Sequence, residues 1–285
     1  MFPQPNRYRL ELDFALALLV PFGLRPLISR MPRVAQAVLC AGLIAAAVPL
    51  VIEQRRWAKR ELRTPDGNQS IEAVTARWIE ANLPRTRVMF AGSMALWANA
   101  FTSVPQLAGG SWSQSAHPVQ LAGLPVIHSG PAEEAVRWLK AYGAGAVVVS
   151  SRDSAEFWKP YTNPEKFEGL LPVLWRRDGV TVYEVPRQSP SIAHVLKREP
   201  LGRLDRYVAA LDQESARAAV QWLGPGRLFI RTRVLLDEVV SVQITYNPGW
   251  RARVHGETVA VHGDGLGLLW VEPGCNGSCE IELVY

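Results

Sequence analysis

The chain is poor in the residues that build compact chemical sites. Its 285 residues hold three cysteines and five histidines. The histidines (His117, His128, His194, His255 and His262) are scattered, and only the last two bracket neighbouring strand candidates. Two imidazoles without a carboxylate make no metal set. No G-x-G-x-x-G and no Gly-Lys-Ser/Thr occurs, so the common phosphate cradles are missing. Nor is there a G-x-S-x-G or H-E-x-x-H arrangement to supply a nucleophile or a catalytic zinc. No low-complexity run and no internal repeat breaks the chain. These absences leave no cofactor and no catalytic residue to name.

Charge is also missing, from one stretch in particular. Residues 34–52 read VAQAVLCAGLIAAAVPLVI without a single ionisable group. A run of that length crosses a hydrocarbon core of roughly 30 Å as a helix. Its Ala and Gly suit close helix packing in lipid. The competing reading is a buried helix of a large soluble protein, which usually carries some polar residues. A weaker apolar segment precedes it at 10–28, interrupted by Glu11, Asp13, Pro21 and Arg25. Those charges can sit at the interfaces or snorkel to them. The expectation is a transmembrane helical hairpin over 10–53, preceded by a polar loop, 1–9, and followed by a basic juxtamembrane linker, 54–69.

The net charge of +5 does not point to nucleic acid. Arg55, Arg56, Lys59, Arg60 and Arg63 cluster beside the apolar run, where anionic headgroups are the natural partners. Counting positive residues alone puts the tail in the cytoplasm. Cys275 and Cys279, with three residues between them at a turn, argue for the other side if they form a disulfide. Free thiols and a reactive pair are the other readings. A zinc site lacks two further ligands nearby.

Beyond the linker the pattern is that of a water-soluble protein. Residues 70–83 carry apolar residues at helical spacing, with Ser70 as a start and Pro84 as a stop. Residues 87–91 read as a strand, and Gly92 and Ser93 open a helix over 94–101. Residues 105–130 read as a long loop, with Trp112 and His117 among Gly, Ser and Gln. An aromatic ring amid amides and hydroxyls suits a sugar face; a packed irregular loop anchored by Trp112 is the alternative. Residues 131–142 predict a helix with acidic residues in its first turn, and 146–150 (AVVVS) a buried strand. A short helix over 154–159 and a helical turn at 163–168 follow. Residues 171–176 and 180–185 form a hairpin around Asp178 and Gly179. Residues 70–186 thus read as a small α/β domain of Rossmann-like layering.

Residues 187–226 read as a connector with a loose helix. From 227 the apolar period changes to two, and six strand candidates predict an antiparallel β-sandwich over 227–285.

Residues 246–250 (YNPGW), the following strand 251–254 and the His255-Gly256 turn resemble the C-terminal β domain of YfhO-type bacterial membrane proteins. Residues 271–274 (VEPG) and 282–285 (ELVY) resemble the close of that pattern. Residues 87–93, 99–102 and 105–110 look like the extracytoplasmic domain of large bacterial membrane proteins of glycosyltransferase C type, some of which are labelled pyruvoyl-tetrahydropterin synthase-related. Residues 2–8 resemble the loop before their last helices. The resemblance implies a bacterial inner-membrane protein with extracytoplasmic domains, and a role in cell-envelope glycan or lipid-linked sugar transfer. In that superfamily the acidic residue that activates the acceptor lies in an early external loop, a region this chain does not contain. The expectation is therefore a non-catalytic C-terminal portion of a longer architecture, whose partners are the lipid bilayer, a polytopic membrane protein and a lipid-linked sugar or glycan. The alternative is a membrane-tethered structural or protein-interaction module.

The best ligand-binding candidates are Arg7, Arg9, Glu11 and Asp13 at the membrane boundary, with Trp112 and His117 in the long loop. An arginine there can hold a lipid phosphate and a carboxylate can hold sugar hydroxyls; an ordinary collar of flanking charges is the plainer reading.

Overall fold

A computed structural model describes residues 9–61, 67–107, 117–213 and 218–285. The chain divides into two compact units, residues 1–65 and 66–285.

The first unit holds two helices, α1 (Arg9–Ile28) and α2 (Arg33–Glu61), joined by a short turn. Gln36 caps that turn, its amide donating to the carbonyls of Ile28 and Met31. Among the described residues, α2 is the one helix long and apolar enough to cross a membrane, over Arg33–Lys59, and none of its apolar window is buried. Twenty-nine residues at about 1.5 Å each make a rod of roughly 44 Å. That exceeds the hydrocarbon core, so the helix continues through the basic cluster. Part of the expected linker is thus helical: Arg55, Arg56 and Lys59 stand on the last turns of α2.

The second unit begins with α3 (Ile71–Asn82), whose N-cap Ser70 accepts a hydrogen bond from the Ala73 amide at 3.2 Å. A four-stranded sheet follows, ordered β1 (Val88–Met89), β2 (Ala146–Ser150), β4 (Val180–Glu184), β3 (Val173–Arg177). Only β1 and β2 run parallel; the other pairs are antiparallel. The β3–β4 turn is the expected one, with Asp178 and Gly179 both at positive φ.

Alternation along β1 and β2 feeds two cores. Val88, Ala146 and Val148 join residues of α3 and of α4 (Gly92–Trp97). Met89, Val147 and Val149 join residues of α5 (Pro118–Ser129) and α6 (Ala132–Ala141). The continuous apolar run of β2 is thus a strand covered on both faces. The expected loop 105–130 is in part a helix: α5 starts on Pro118 and tolerates Gly123 because the Trp138 ring of α6 lies 3.0 Å from where a Cβ would be. The expected helix over 154–159 is irregular chain, and the helical turn after it is a 3-10 turn at Pro164–Phe167.

The C-terminal part packs two sheets. One is ordered β10 (Glu257–Val259), β9 (Arg251–Val254), β13 (Gly277–Val284), β7 (Arg227–Val234), β6 (Ala219–Gly224). The other is β11 (Val261–Gly263), β12 (Leu268–Val271), β8 (Glu238–Thr245), β5 (Ala193–Lys197). Besides α7 (Leu204–Gln213), the connector supplies two strands: β5 and β6 complete the two sheets. Residues 66–285 form one compact unit, in which β8 and β5 contribute to two cores. Val240, Val242, Ala193 and Val195 face the sandwich interior, while Leu196 packs with Tyr207, Val208 and Leu211 of α7. On that second face Ser241 bonds the Tyr207 hydroxyl at 2.9 Å. Gln243 donates to the carbonyls of Lys140 and Ala141 at 2.9 and 3.0 Å. Those carbonyls lie at the end of α6, where that of Lys140 also accepts from the Gly143 amide at 3.0 Å.

Candidate functional site

In open α/β sheets, ligands bind beyond the carboxyl ends of parallel strands. Here those are the ends of β1 and β2, and the chain itself fills the space. Gly92 turns at φ +66 to start α4. A Cβ there would meet the Trp158 carbonyl at 2.0 Å and the Glu156 carboxylate at 2.7 Å. Glu156 is 2% exposed. Its Oε1 accepts from the Met94 amide at 2.8 Å and the Ser93 hydroxyl at 3.1 Å, and its Oε2 accepts from the Ser150 hydroxyl. A carboxylate of the chain thus occupies the position over a strand–glycine–helix turn that an anionic ligand would take. Burial pushes the Glu156 carboxyl up. Hydrogen bonds from Ser150, Met94 and Ser93 oppose that shift, and Glu72 adds a small repulsion. No motif flagged Glu156; its neighbours come from three segments that only the fold assembles.

The rim of this junction is apolar and open to solvent. Trp158 is tied to the start of α4 twice: the Ser93 amide donates to its carbonyl at 3.0 Å, and its own amide donates to the Ser93 hydroxyl at 3.3 Å. Leu96 and Trp97 of α4 are 54% exposed, Phe157 is 90% exposed and Trp158 41%.

A second place is a very shallow cleft of about 10 Å³, lined by Lys140, Arg187, Ser189, His194, Asp212 and Gln243 among others. Lys140 pairs with Asp212 at 2.8 Å, and Arg187 donates to the Gly143 carbonyl at 2.9 Å. Behind it Arg87 donates to the carbonyls of Tyr142 and Gln243 at 2.8 and 2.6 Å. Burial, with Arg187 close by, lowers the Arg87 guanidinium to about 10. Cleft and strand-end junction are separate places.

Cys275 and Cys279 are joined as a disulfide, with Cα atoms 5.9 Å apart. His255, in the β9–β10 turn, stands beside them, its Nε2 3.7 Å from the Cys275 sulfur. Ligand atoms of His255, Cys275 and Cys279 lie within 4.8 Å of one another. Sulfurs bonded to each other are not thiolate ligands, so the trio is a disulfide with a neighbouring imidazole. The sequence reading found no nearby imidazole; pairing of β9 with β13 brings His255 there.

Arg7 and Trp112 lie outside the described residues. Arg9, Glu11 and Asp13 fall in the first turns of α1. His117 belongs to the second unit, where it has a structural task. Its Nδ1 caps α5 by accepting from the Val119 amide at 3.3 Å, and its ring fills the space over Gly267.

No family model, no curated protein and no solved structure matches the chain.

Proposed function

We propose that the chain is a membrane-anchored, non-catalytic component of a glycosyltransferase-C-like assembly in a bacterial cell envelope, with α1 and α2 as a spanning hairpin and residues 66–285 on the extracytoplasmic side. The observation that carries the anchoring is α2, a helix with a 19-residue uncharged core followed by a basic collar. The disulfide supports the external side, since such bonds persist in oxidising compartments. Helices on both faces of the sheet in the α/β half support layering of the Rossmann-like kind, and the sandwich is in keeping with the β domain of the YfhO-type resemblance. Occupation of the strand-end junction by Glu156 favours a positioning role over nucleotide chemistry.

Purification of the full chain from detergent-solubilised membranes tests this reading. A carbonate-resistant membrane protein that brings down a polytopic partner is the expected result. A chain found in the soluble fraction overturns the anchoring. A membrane-bound chain that purifies alone overturns the accessory role in favour of a membrane-tethered interaction module, the second reading. After reduction, a membrane-impermeant thiol reagent is expected to label Cys275 or Cys279 in intact cells; labelling only after lysis overturns the external side.

A further inference from the structure

The end of the sandwich that holds the disulfide also gathers a third donor. Cys275 and Cys279 have three residues between them, a spacing that thiolate ligands of one zinc ion use along a chain. The fold adds an imidazole. β9 pairs with β13 with Val254 opposite Ile281, so the turn that follows β9 lies beside the start of β13. The His255 amide donates to the Glu280 carbonyl at 3.4 Å. His255 takes φ +50 and Gly256 φ +91, the left-handed region that Asn and Gly favour in a two-residue hairpin turn. From that turn the His255 Nε2 lies 3.7 Å from the Cys275 sulfur.

The distance is that of a ligand set. A tetrahedral zinc ion bonded to a nitrogen at about 2.0 Å and to a sulfur at about 2.3 Å holds the two roughly 3.5 Å apart. The imidazole therefore already stands about one edge of such a tetrahedron from Cys275. All three donor atoms lie within 4.8 Å of one another. Two thiolates on one zinc ion sit roughly 3.8 Å apart. Cα atoms 5.9 Å apart allow that separation by rotation of the two side chains.

Charge points the same way. Cys275 is 8% exposed and Cys279 fully buried, both in the apolar interior of the sandwich. Thiolates there are costly unless their charge is neutralised. A dication with two thiolates and a neutral imidazole has no net charge. His255 is exposed, which opens the site to an incoming ion and to a water as fourth ligand.

We propose that His255, Cys275 and Cys279 form a redox-gated zinc site, closed while the two sulfurs are bonded and a three-ligand centre once they are reduced. The gate is thiol–disulfide exchange. A dithiol reductant supplies two electrons and two protons: its own sulfurs join, the Cys275–Cys279 bond breaks, and both cysteines become thiols. Zinc then displaces the two thiol protons to water as it binds. The inference uses residues of the 66–285 unit alone and stands apart from the membrane-accessory reading.

The test uses the full chain in detergent with Cys40→Ala, so that the pair supplies the only thiols. The chain is reduced with a phosphine in the absence of oxygen and titrated with cobalt(II), then with zinc(II). The expected result is one cobalt per chain, with thiolate-to-cobalt charge-transfer absorption and the visible bands of a tetrahedral ion, both erased by zinc. The oxidised chain is expected to show neither. His255→Asn keeps a residue suited to the turn. It is expected to weaken zinc binding about 100-fold or more in competition with a chromophoric chelator, since loss of even an outer hydrogen-bond partner costs roughly 10–100-fold. Hydrogen exchange keeps the test decisive if reduction loosens the sandwich: zinc is expected to restore slow exchange in β9 and β13. A reduced chain that takes up no tetrahedral cobalt and gains no protection from zinc overturns the proposal. Equal zinc affinity in the wild type and His255→Asn removes the imidazole from the site and overturns the trio. Equal uptake by the oxidised and reduced chains overturns the gate.

Discussion

The two halves of the 66–285 unit bury different things. The α/β half places ionisable side chains inside. Glu156 is buried under three donors. The half-buried His128 imidazole is lowered to about 4 by desolvation and by Lys166. Lys166 reaches in to the carbonyls of Val126, Ile127 and Gly130 at the end of α5, at 3.4, 2.6 and 3.0 Å. The sandwich interior, among the described residues, is aliphatic and aromatic with a disulfide at one end. The charges of β13 and β7 lie on the outer face and pair across strands, as Glu282 does with Arg227 and Glu280 with Arg231. One half is therefore tuned by protons and the other by apolar burial and a covalent link. Hydrogen exchange resolved by peptide separates the two, and each prediction below moves one half more than the other.

The largest effect is expected from Glu156→Ala, which leaves the Met94 amide and two serine hydroxyls buried without an acceptor. A loss of about 3–5 kcal/mol is expected from the α/β half, read by denaturant titration. Glu156→Gln keeps the shape and the acceptor oxygen and is expected to cost far less. It also changes the pH profile. Because burial raises the folded carboxyl, the wild type loses stability as pH climbs from the ordinary carboxylate range through that raised value, and the glutamine variant lacks this slope. A wild type and a glutamine variant with parallel alkaline limbs would refute the buried-acid account.

Next comes His128. Its unfolded value near 6.5 and folded value of about 4 mean that the neutral ring stabilises above pH 6.5. That contribution drains as pH falls through 4, a loss of roughly 3 kcal/mol. His128→Phe is expected to remove this acid limb in thermal melts between pH 4 and 7. Reduction of Cys275–Cys279 is expected to weaken the sandwich by about 2 kcal/mol, since the bond closes only a short loop, with faster exchange in β13 and little change in α5 or α6. Arg231→Ala should shift stability by no more than about 0.5 kcal/mol, because both partners of its ion pair are largely exposed. A larger loss there would show that the outer face of the sandwich also depends on charge.

Where local pattern and tertiary environment agreed, the sequence was readable. Ser70 caps α3, AVVVS is a doubly covered strand, and Asp178 and Gly179 make their turn. It misled where the environment overrode the pattern. Residues 118–129 carry Gly123 and Pro125, both helix breakers, yet α5 forms because Gly123 lets the Trp138 ring approach. β5 was hidden because His194 and Lys197 interrupt a run of only five residues, and His194 is buried on a face that meets helices instead of water. Residues 154–159 have helical spacing, but Glu156 turns inward to bond α4 and β2 and holds the segment out of a helix. Of the candidate site, the glycine turn at residue 92 was legible. The carboxylate that fills it comes from 64 positions later and belongs to no motif.

The order of strands also sets a schedule. In the five-stranded sheet β13 lies between β9 and β7, although it is the last of them to be synthesised. β7 is complete at residue 234 and β13 at residue 284. At about 5–20 residues per second, a nascent chain holds β7 with one edge unpaired for roughly 3–10 s. An open apolar strand edge is a template for wrong pairing. A stalled or shortened product lacking residues 277–284 loses the middle of the sheet, not its margin.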